Sequence, residues 1–194
     1  YEDRDGNLWV GMVRGLARLQ AGRLRELVDD DPLGSAPRAI FQDREGSLWL
    51  GSQWEGLARL WNGWTRRYST REGLSDRILW STTRGPDGRI WAGANDGLWV
   101  MEDGRFRQVV PGSDLPHPNA YTLLVEDDTV WIGTRRGAAV LRGEVLDAPK
   151  ELAPLRSHQV NGIVRDRRGA LWFVTSGGLY RWRRDEFTAF DTRH

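Results

Sequence analysis

The stretch "DRDGNLWVG" at residues 3–11 returns as "DREGSLWLG" at 43–51, and more loosely as "GPDGRIWAG" (85–93), "DDTVWIG" (127–133) and "DRRGALWFV" (166–174). Taking the tryptophan as register gives Trp9, Trp49, Trp91, Trp131 and Trp172, at intervals of 40, 42, 40 and 41 residues. A period of about 40–45 residues is that of a four-stranded propeller blade, although some helical repeats have similar lengths. Local pattern separates the two. Each copy reads as a short strand, a polar turn, a strand centred on tryptophan and a second turn, then "GLARL", "GLWVM", "GAAVL" or "GLYRW". Apolar segments this short, set between Gly, Asp and Pro clusters, are strand-length, and no longer window keeps a period of about 3.6. The reading is an all-β chain: a β-propeller of four-stranded antiparallel blades, five in this chain, the first incomplete.

The second copy serves as the pattern. Its strands are expected at about 38–42, 47–51, 56–60 and 64–68, and the five blades at about 1–34, 35–76, 77–118, 119–157 and 158–194. In the first turn an Asp can accept hydrogen bonds from the backbone two residues on, and Gly6, Gly46, Gly88 and Gly169 can take positive φ without steric cost. The tryptophan is expected to fill the wedge between neighbouring blades, where its removal would cost about 3–5 kcal/mol. Copy four lacks the turn glycine, and in copy five Val174 stands where the others have glycine. The first copy offers only "YED" for its innermost strand, and the last finishes near Phe190. Open sheet edges are a liability. The chain is therefore expected to be part of a larger, seven-bladed type of propeller, or an open unit that self-associates through its blade edges.

Bulk composition narrows the function classes. Twenty-eight basic residues against 27 acidic ones give no electrostatic footprint for nucleic acid. Lys150 is the only lysine, so the cations are almost all arginine. There is no cysteine, which removes disulfides, zinc ribbons and thiol catalysis. No apolar run in the chain approaches the ~20 residues of a membrane span. The unusual counts are 11 tryptophans and 23 glycines, and both belong to the repeat.

Catalytic and metal signatures are incomplete wherever the sequence approaches one. The "DRDGN" and "DREGS" turns space carboxylates around a glycine as calcium loops do, yet lack the downstream bidentate Glu and the full ligand set. His117, His158 and His194 show no metal-ligand spacing. Serine-hydrolase, P-loop and dinucleotide signatures are missing. No cofactor is expected.

What remains is the geography of the loops. In a propeller the connections from outermost to next innermost strand, and from second to third strand, gather on one face around the axis. The second-to-third connections are "MVR" (12–14), "SQWE" (52–55), "AND" (94–96), "TRR" (134–136) and "TSG" (175–177). They place Trp54 and Glu55, Asn95 and Asp96, and Arg135 and Arg136 on that face. At the mouth of the innermost strands the equivalent positions are Arg38, Trp80, Tyr121 or Thr122, and Asn161. An aromatic platform with amides, arginines and carboxylates near one axis suits a polar small molecule or an oligosaccharide. The competing reading has Trp80 packed between blades and the arginines solvated. Trp61 and Trp64, flanking an Asn-Gly pair, are expected on the outer two strands of blade two.

"EDRDGNLWVG" followed by "GLARL", and "QDREGSLWLGS" followed by "GLARLWNG", resemble the two-component regulator propeller repeat, across all five copies. The resemblance implies a ligand-sensing and dimerising module, not an enzyme. It further implies a place on the periplasmic side of a bacterial inner-membrane receptor that signals through a histidine kinase or diguanylate cyclase. "GALWFVTSGGLYRW" is similar to streptogramin-lyase propellers, whose implied alternative is a metal-dependent lyase or lactonase. A third reading is an oligomerising scaffold without a small-molecule ligand.

Overall fold

The computed structural model describes residues 1–13, 15–27, 37–62, 64–75, 78–184 and 186–190. Arg14 of the first loop, the boundaries expected near 34 and 76, Gly63 of the Asn-Gly hairpin and His194 lie outside them. The first sheet holds β1 (Leu8–Met12), β2 (Gly15–Gln20) and β3 (Arg23–Glu26). The second holds β4 (Pro37–Gln42), β5 (Leu48–Ser52), β6 (Leu57–Trp61) and β7 (Trp64–Tyr68). The third holds β8 (Leu79–Arg84), β9 (Ile90–Ala94), β10 (Gly97–Glu102) and β11 (Arg105–Pro111). The fourth holds β12 (Ala120–Glu126), β13 (Thr129–Thr134), β14 (Gly137–Arg142) and β15 (Val145–Asp147). The fifth holds β16 (Val160–Arg165), β17 (Leu171–Thr175), β18 (Gly178–Arg183) and β19 (Glu186–Phe190).

Each sheet is an antiparallel meander in sequence order. The first strands of successive sheets, β4, β8, β12 and β16, lie side by side, so the sheets are blades fanned around an axis. The chain is a β-propeller of this blade type. In blade one the innermost position is held by three residues: Glu2 bridges to Leu8, and the Trp9 amide donates to the Tyr1 carbonyl at 2.7 Å.

Four apolar clusters fill the spaces between consecutive blades, each containing one repeat tryptophan. Trp9, Trp49, Trp91 and Trp131 are buried, and Trp172 is half-buried. A buried indole N–H needs an acceptor. It is the turn Asp six residues earlier: Asp3 to Trp9 at 2.7 Å, Asp43 to Trp49 at 2.7 Å, Asp166 to Trp172 at 2.9 Å. The other carboxylate oxygen accepts backbone amides across the turn, closing it. Burial pushes the Asp3 carboxyl up, but the hydrogen bonds from Trp9 and Asn7 outweigh it and hold the group below the usual carboxylate range. Six residues before Trp91 and Trp131 stand Gly85 and Val125, so neither of these indoles has a turn aspartate at that position. Over each ring lies a guanidinium, Arg18, Arg59, Arg89, Arg142 and Arg181 in turn, at 5.2–5.9 Å from the ring centre. The arginine excess thus has a packing use that lysine would serve less well.

The turn glycines adopt φ between 74° and 89°, as their position requires. Blade four manages without one by closing the hairpin in two residues, with Asp127 at φ 40°. The glycine two residues after the tryptophan has a different reason. A Cβ at Gly93 would stand 2.4 Å from the Ala120 carbonyl oxygen of the next blade, and one at Gly133 2.8 Å from Val160 Cγ1. The gap between blades narrows there until only backbone fits. In blade five, Val174 occupies this position, and its cross-strand partner is Gly162 where blades two to four carry Ala39, Ser81 and Thr122. The outward side of blade five is open: Val174 is 48% and Val164 55% exposed.

Asp43→Ala should lower stability by about 2–3 kcal/mol, since it orphans the buried Trp49 N–H and opens the turn. Gly93→Ala should cost about 1–3 kcal/mol through overpacking. Urea titrations of the two variants against the parent chain measure both, and Gly22→Ala, with nothing within 4 Å of its Cβ, calibrates the cost of positive φ alone.

Candidate functional site

Every complete innermost strand carries a β-bulge at the same point. Pairing skips one residue between Pro37 and Ala39, Leu79 and Ser81, Ala120 and Thr122, and Val160 and Gly162. The residues left out of the ladder are Arg38, Trp80, Tyr121 and Asn161. A bulge re-aims a side chain that would otherwise alternate with its neighbours. The four positions therefore form one ring of re-aimed side chains at the loop end of the inner strands.

Three of them touch. The Arg38 guanidinium sits 5.6 Å from the centre of the Trp80 ring, and its Nε donates to Gln53 Oε1 at 3.0 Å. Trp80 meets Tyr121 edge to face, with centroids 4.8 Å apart and planes at 71°. The Trp80 indole N–H donates to Asn95 Oδ1 at 2.7 Å, and the Asn119 side-chain amide donates to the same oxygen. The result is a strip across blades two, three and four: cation, indole, phenol, with amides beneath. Trp80 and Tyr121 are half-buried, so each keeps an accessible surface. Trp80 is fixed from below by Asn95 and is not lost inside a blade-to-blade wedge.

The remaining expected residues are placed elsewhere. Asn161 pairs with Gln159 at 2.7 Å in blade five. Asp96 turns back into its own blade, accepting from the Trp99 indole at 3.0 Å and from the Ser75 hydroxyl. Glu55 lies 4.0 Å from Arg67, and Trp54 stands 54% exposed on the same loop. Arg135 and Arg136 fan from a tight turn in which the buried Thr134 hydroxyl bonds both the Gly137 carbonyl and the Arg136 amide. Their charge is felt by His117. Burial first, then Arg135 and Arg136, hold its pKa below the ordinary value near 6.5. Its Nδ1 accepts the Asn119 backbone amide at 3.3 Å, which leaves the proton on Nε2. Gln53 and Asn119 were not singled out from the sequence, and His117 stood there only among the histidines without metal-ligand spacing. Gln53 lay inside a quoted loop, and Asn119 directly precedes an inner strand, the one signal that marked it. Trp61 and Trp64 face each other across the outer hairpin of blade two, Trp64 being 70% exposed.

Among the described residues no three His, Asp or Glu side chains gather as a metal set. No described helix is long and apolar enough to cross a membrane.

No protein-family model and no curated protein matches the sequence. Solved structures do. The extracellular domain of the hybrid two-component system BT3049 from B. thetaiotaomicron superposes with a TM-score of 0.81 at 19% identity, over 97% of this chain and 29% of that one. The extracellular domain of the one-component system BT4673 from the same organism gives 0.69 at 20%, over 100% and 33%. A catalytically inactive virginiamycin B lyase from Staphylococcus aureus, solved with quinupristin, gives 0.72 at 17%, over 100% and 69%. The chain thus spans a third or less of the two sensor ectodomains. At these identities the likeness is one of fold.

Replacing Arg136 by Gln removes a cation that disfavours His117 protonation, so the His117 pKa should rise toward its ordinary value. A proton NMR titration of the imidazole C2 resonance, assigned with His117→Gln, reads the shift. An unchanged pKa would place Arg136 away from the ring.

Proposed function

We propose that this chain is a non-enzymatic sensing module from the extracytoplasmic part of a bacterial signal-transduction receptor of the two-component regulator propeller kind, and that its bulge-lined face binds a polar small molecule or oligosaccharide. One observation carries the reading. Four blades spend a β-bulge at the same register, and three of the re-aimed side chains assemble Arg38, Trp80 and Tyr121 into a continuous strip over Asn95 and Asn119. Packing alone does not need that, because the cores between the blades are built from other residues. A half-exposed indole beside a guanidinium and amides suits the mixed faces of a sugar ring: C–H groups over the aromatic, hydroxyls to the polar rim. The likeness of fold to sensor ectodomains supports the same reading. In the parent receptor, binding would shift protomer placement only through a difference in affinity for the two arrangements.

The lyase alternative finds support in fold likeness, and its chemistry would call for convergent metal ligands on this face, where His117 is the histidine closest to the strip in the chain. Neutral tetrasaccharides such as cellotetraose and maltotetraose serve as first probes, read by tryptophan fluorescence and calorimetry. Saturable binding that Trp80→Ala weakens about tenfold and Trp54→Ala leaves intact is expected. Binding that survives Trp80→Ala, or turnover of the ligand, would remove this proposal.

Self-association is a second reading with its own observation. Leu8, Val10 and Leu24 are 41%, 39% and 59% exposed on the outward side of blade one, and Val164 and Val174 are similarly open on blade five. Adjacent blades cover such rows in the interior of the fan, so a second copy is a chemically fitting cover. Light scattering of the isolated chain should then show a mass rising with concentration above 22.2 kDa. A constant monomer would end this reading.

A further inference from the structure

Two departures from the repeat meet at one place in blade four. The residue after the glycine that opens the third strand is leucine in the other copies, Leu16, Leu57, Leu98 and Leu179, and alanine here, Ala138. The outermost strand is also the shortest of the described ones: β15 has three residues, against four to seven elsewhere. In blades two, three and five the outer strand runs far enough to pair with that leucine, through Tyr68, Val110 and Phe190. In blade four pairing stops at Val140 and Asp147, so nothing from β15 stands opposite Ala138 or Ala139. The chain instead leaves the sheet through Ala148 and Pro149 into a short 3-10 turn, Lys150–Leu155, which buries Leu152 and Leu155 against Ala138 and Val140.

The space left over is a pocket of about 480 Å3, well within the size range of small-molecule sites. Leu115, Pro116, Ala139, Leu146 and Leu152 give it an apolar wall. Its rim carries Arg136, Arg156, Asp114 and Asp147. The two acids are engaged: Asp147 lies 4.0 Å from Arg142, and Asp114 accepts the Ser113 hydroxyl at 3.0 Å. Neither rim guanidinium has an ion pair or side-chain hydrogen bond among the described residues. Arg135 adds charge nearby, and burial together with the two arginines of that loop holds the His117 pKa below its ordinary value. An apolar pocket with two unengaged guanidinium groups at its mouth is matched to one class of ligand.

We propose that this pocket binds a small organic anion with an apolar body, an aryl or alkyl carboxylate, its carboxylate at Arg136 and Arg156 and its hydrocarbon against Leu115 and Leu152. The site is separate from the Arg38–Trp80–Tyr121 strip and does not depend on it. Blade four breaks the repeat twice in concert, once by removing a side chain and once by removing the strand that would cover it. Leu152 and Leu155 take up part of the room that the missing leucine leaves, and the remainder stays open as the cavity.

The test uses 2-naphthoate and its neutral analogue 2-naphthamide, titrated into the chain by calorimetry and followed at the His117 C2 proton. One-to-one binding of the carboxylate is expected, at least tenfold tighter than the amide. Arg136→Gln and Arg156→Gln should each weaken it about tenfold without moving the thermal midpoint. In the parent chain the bound carboxylate should raise the His117 pKa, because it offsets the arginine charge. Ala138→Leu, which restores the residue of the other copies, should abolish binding, and the two arginine variants keep the test readable if that variant does not fold. Equal binding of acid and amide, unaltered by both arginine changes, would mean that the open blade faces take up the hydrocarbon and would overturn the proposal. So would the lack of saturable binding to either probe.

Discussion

A tryptophan between two twisted sheets sets the terms for everything else in this fold. The sheets cannot be parallel along their whole length, because strands twist. They diverge where the indole lies and converge two residues later, where only glycine passes the next blade's backbone. The ring brings a polar N–H into an apolar wedge, and that group must be met. In blades one, two and five the turn aspartate meets it, and in the same act closes the hairpin that carries the ring. Tight turn, buried indole and close approach are thus one constraint expressed three times, and the repeated nine residues are its shortest statement.

The constraint also locates the variable parts. The wedge end of each blade is committed to its Trp and the turn before it, and inter-blade ties reinforce it: Arg4 donates to the Asp43 and Arg44 carbonyls, and Arg165 holds Glu126 with bonds of 2.5 and 2.7 Å. The Arg165 hydrogen bond keeps the Glu126 carboxyl below its usual range. The opposite end has no such duty. There the bulges turn out one side chain per blade, and the loops differ from copy to copy.

The fold was legible because its signal is periodic. The strands of blade two fall within one residue of the expected 38–42, 47–51, 56–60 and 64–68, since Asp, Gly and Trp punctuate them. The inner-mouth residues were legible for the same reason. Arg38, Trp80 and Asn161 each stand eleven residues before their tryptophan, while Tyr121 stands ten before Trp131, the difference being the two-residue turn of blade four. Direction and reach of side chains were not legible. Asp96 shares a loop with Asn95, yet it turns to Trp99 while Asn95 turns to Trp80, a choice made by the bulge and by the neighbouring blade. The aspartate–indole bond was hidden in a spacing of six that also reads as an ordinary turn. The pocket of blade four depends on where a strand stops pairing, which no single residue announces.

Exchange of the indole N–H protons, followed one by one in a deuterium-exchange NMR series, tests the aspartate–tryptophan lock most directly. Trp9 and Trp49, buried and bonded to Asp3 and Asp43, should exchange slowest. Trp172, bonded but half-buried, should lie between them and the exposed Trp64, which should exchange at nearly the free rate. Uniform exchange across these four rings, or a fast Trp49 beside a slow Trp64, would contradict the lock as the element that holds the indole in its wedge.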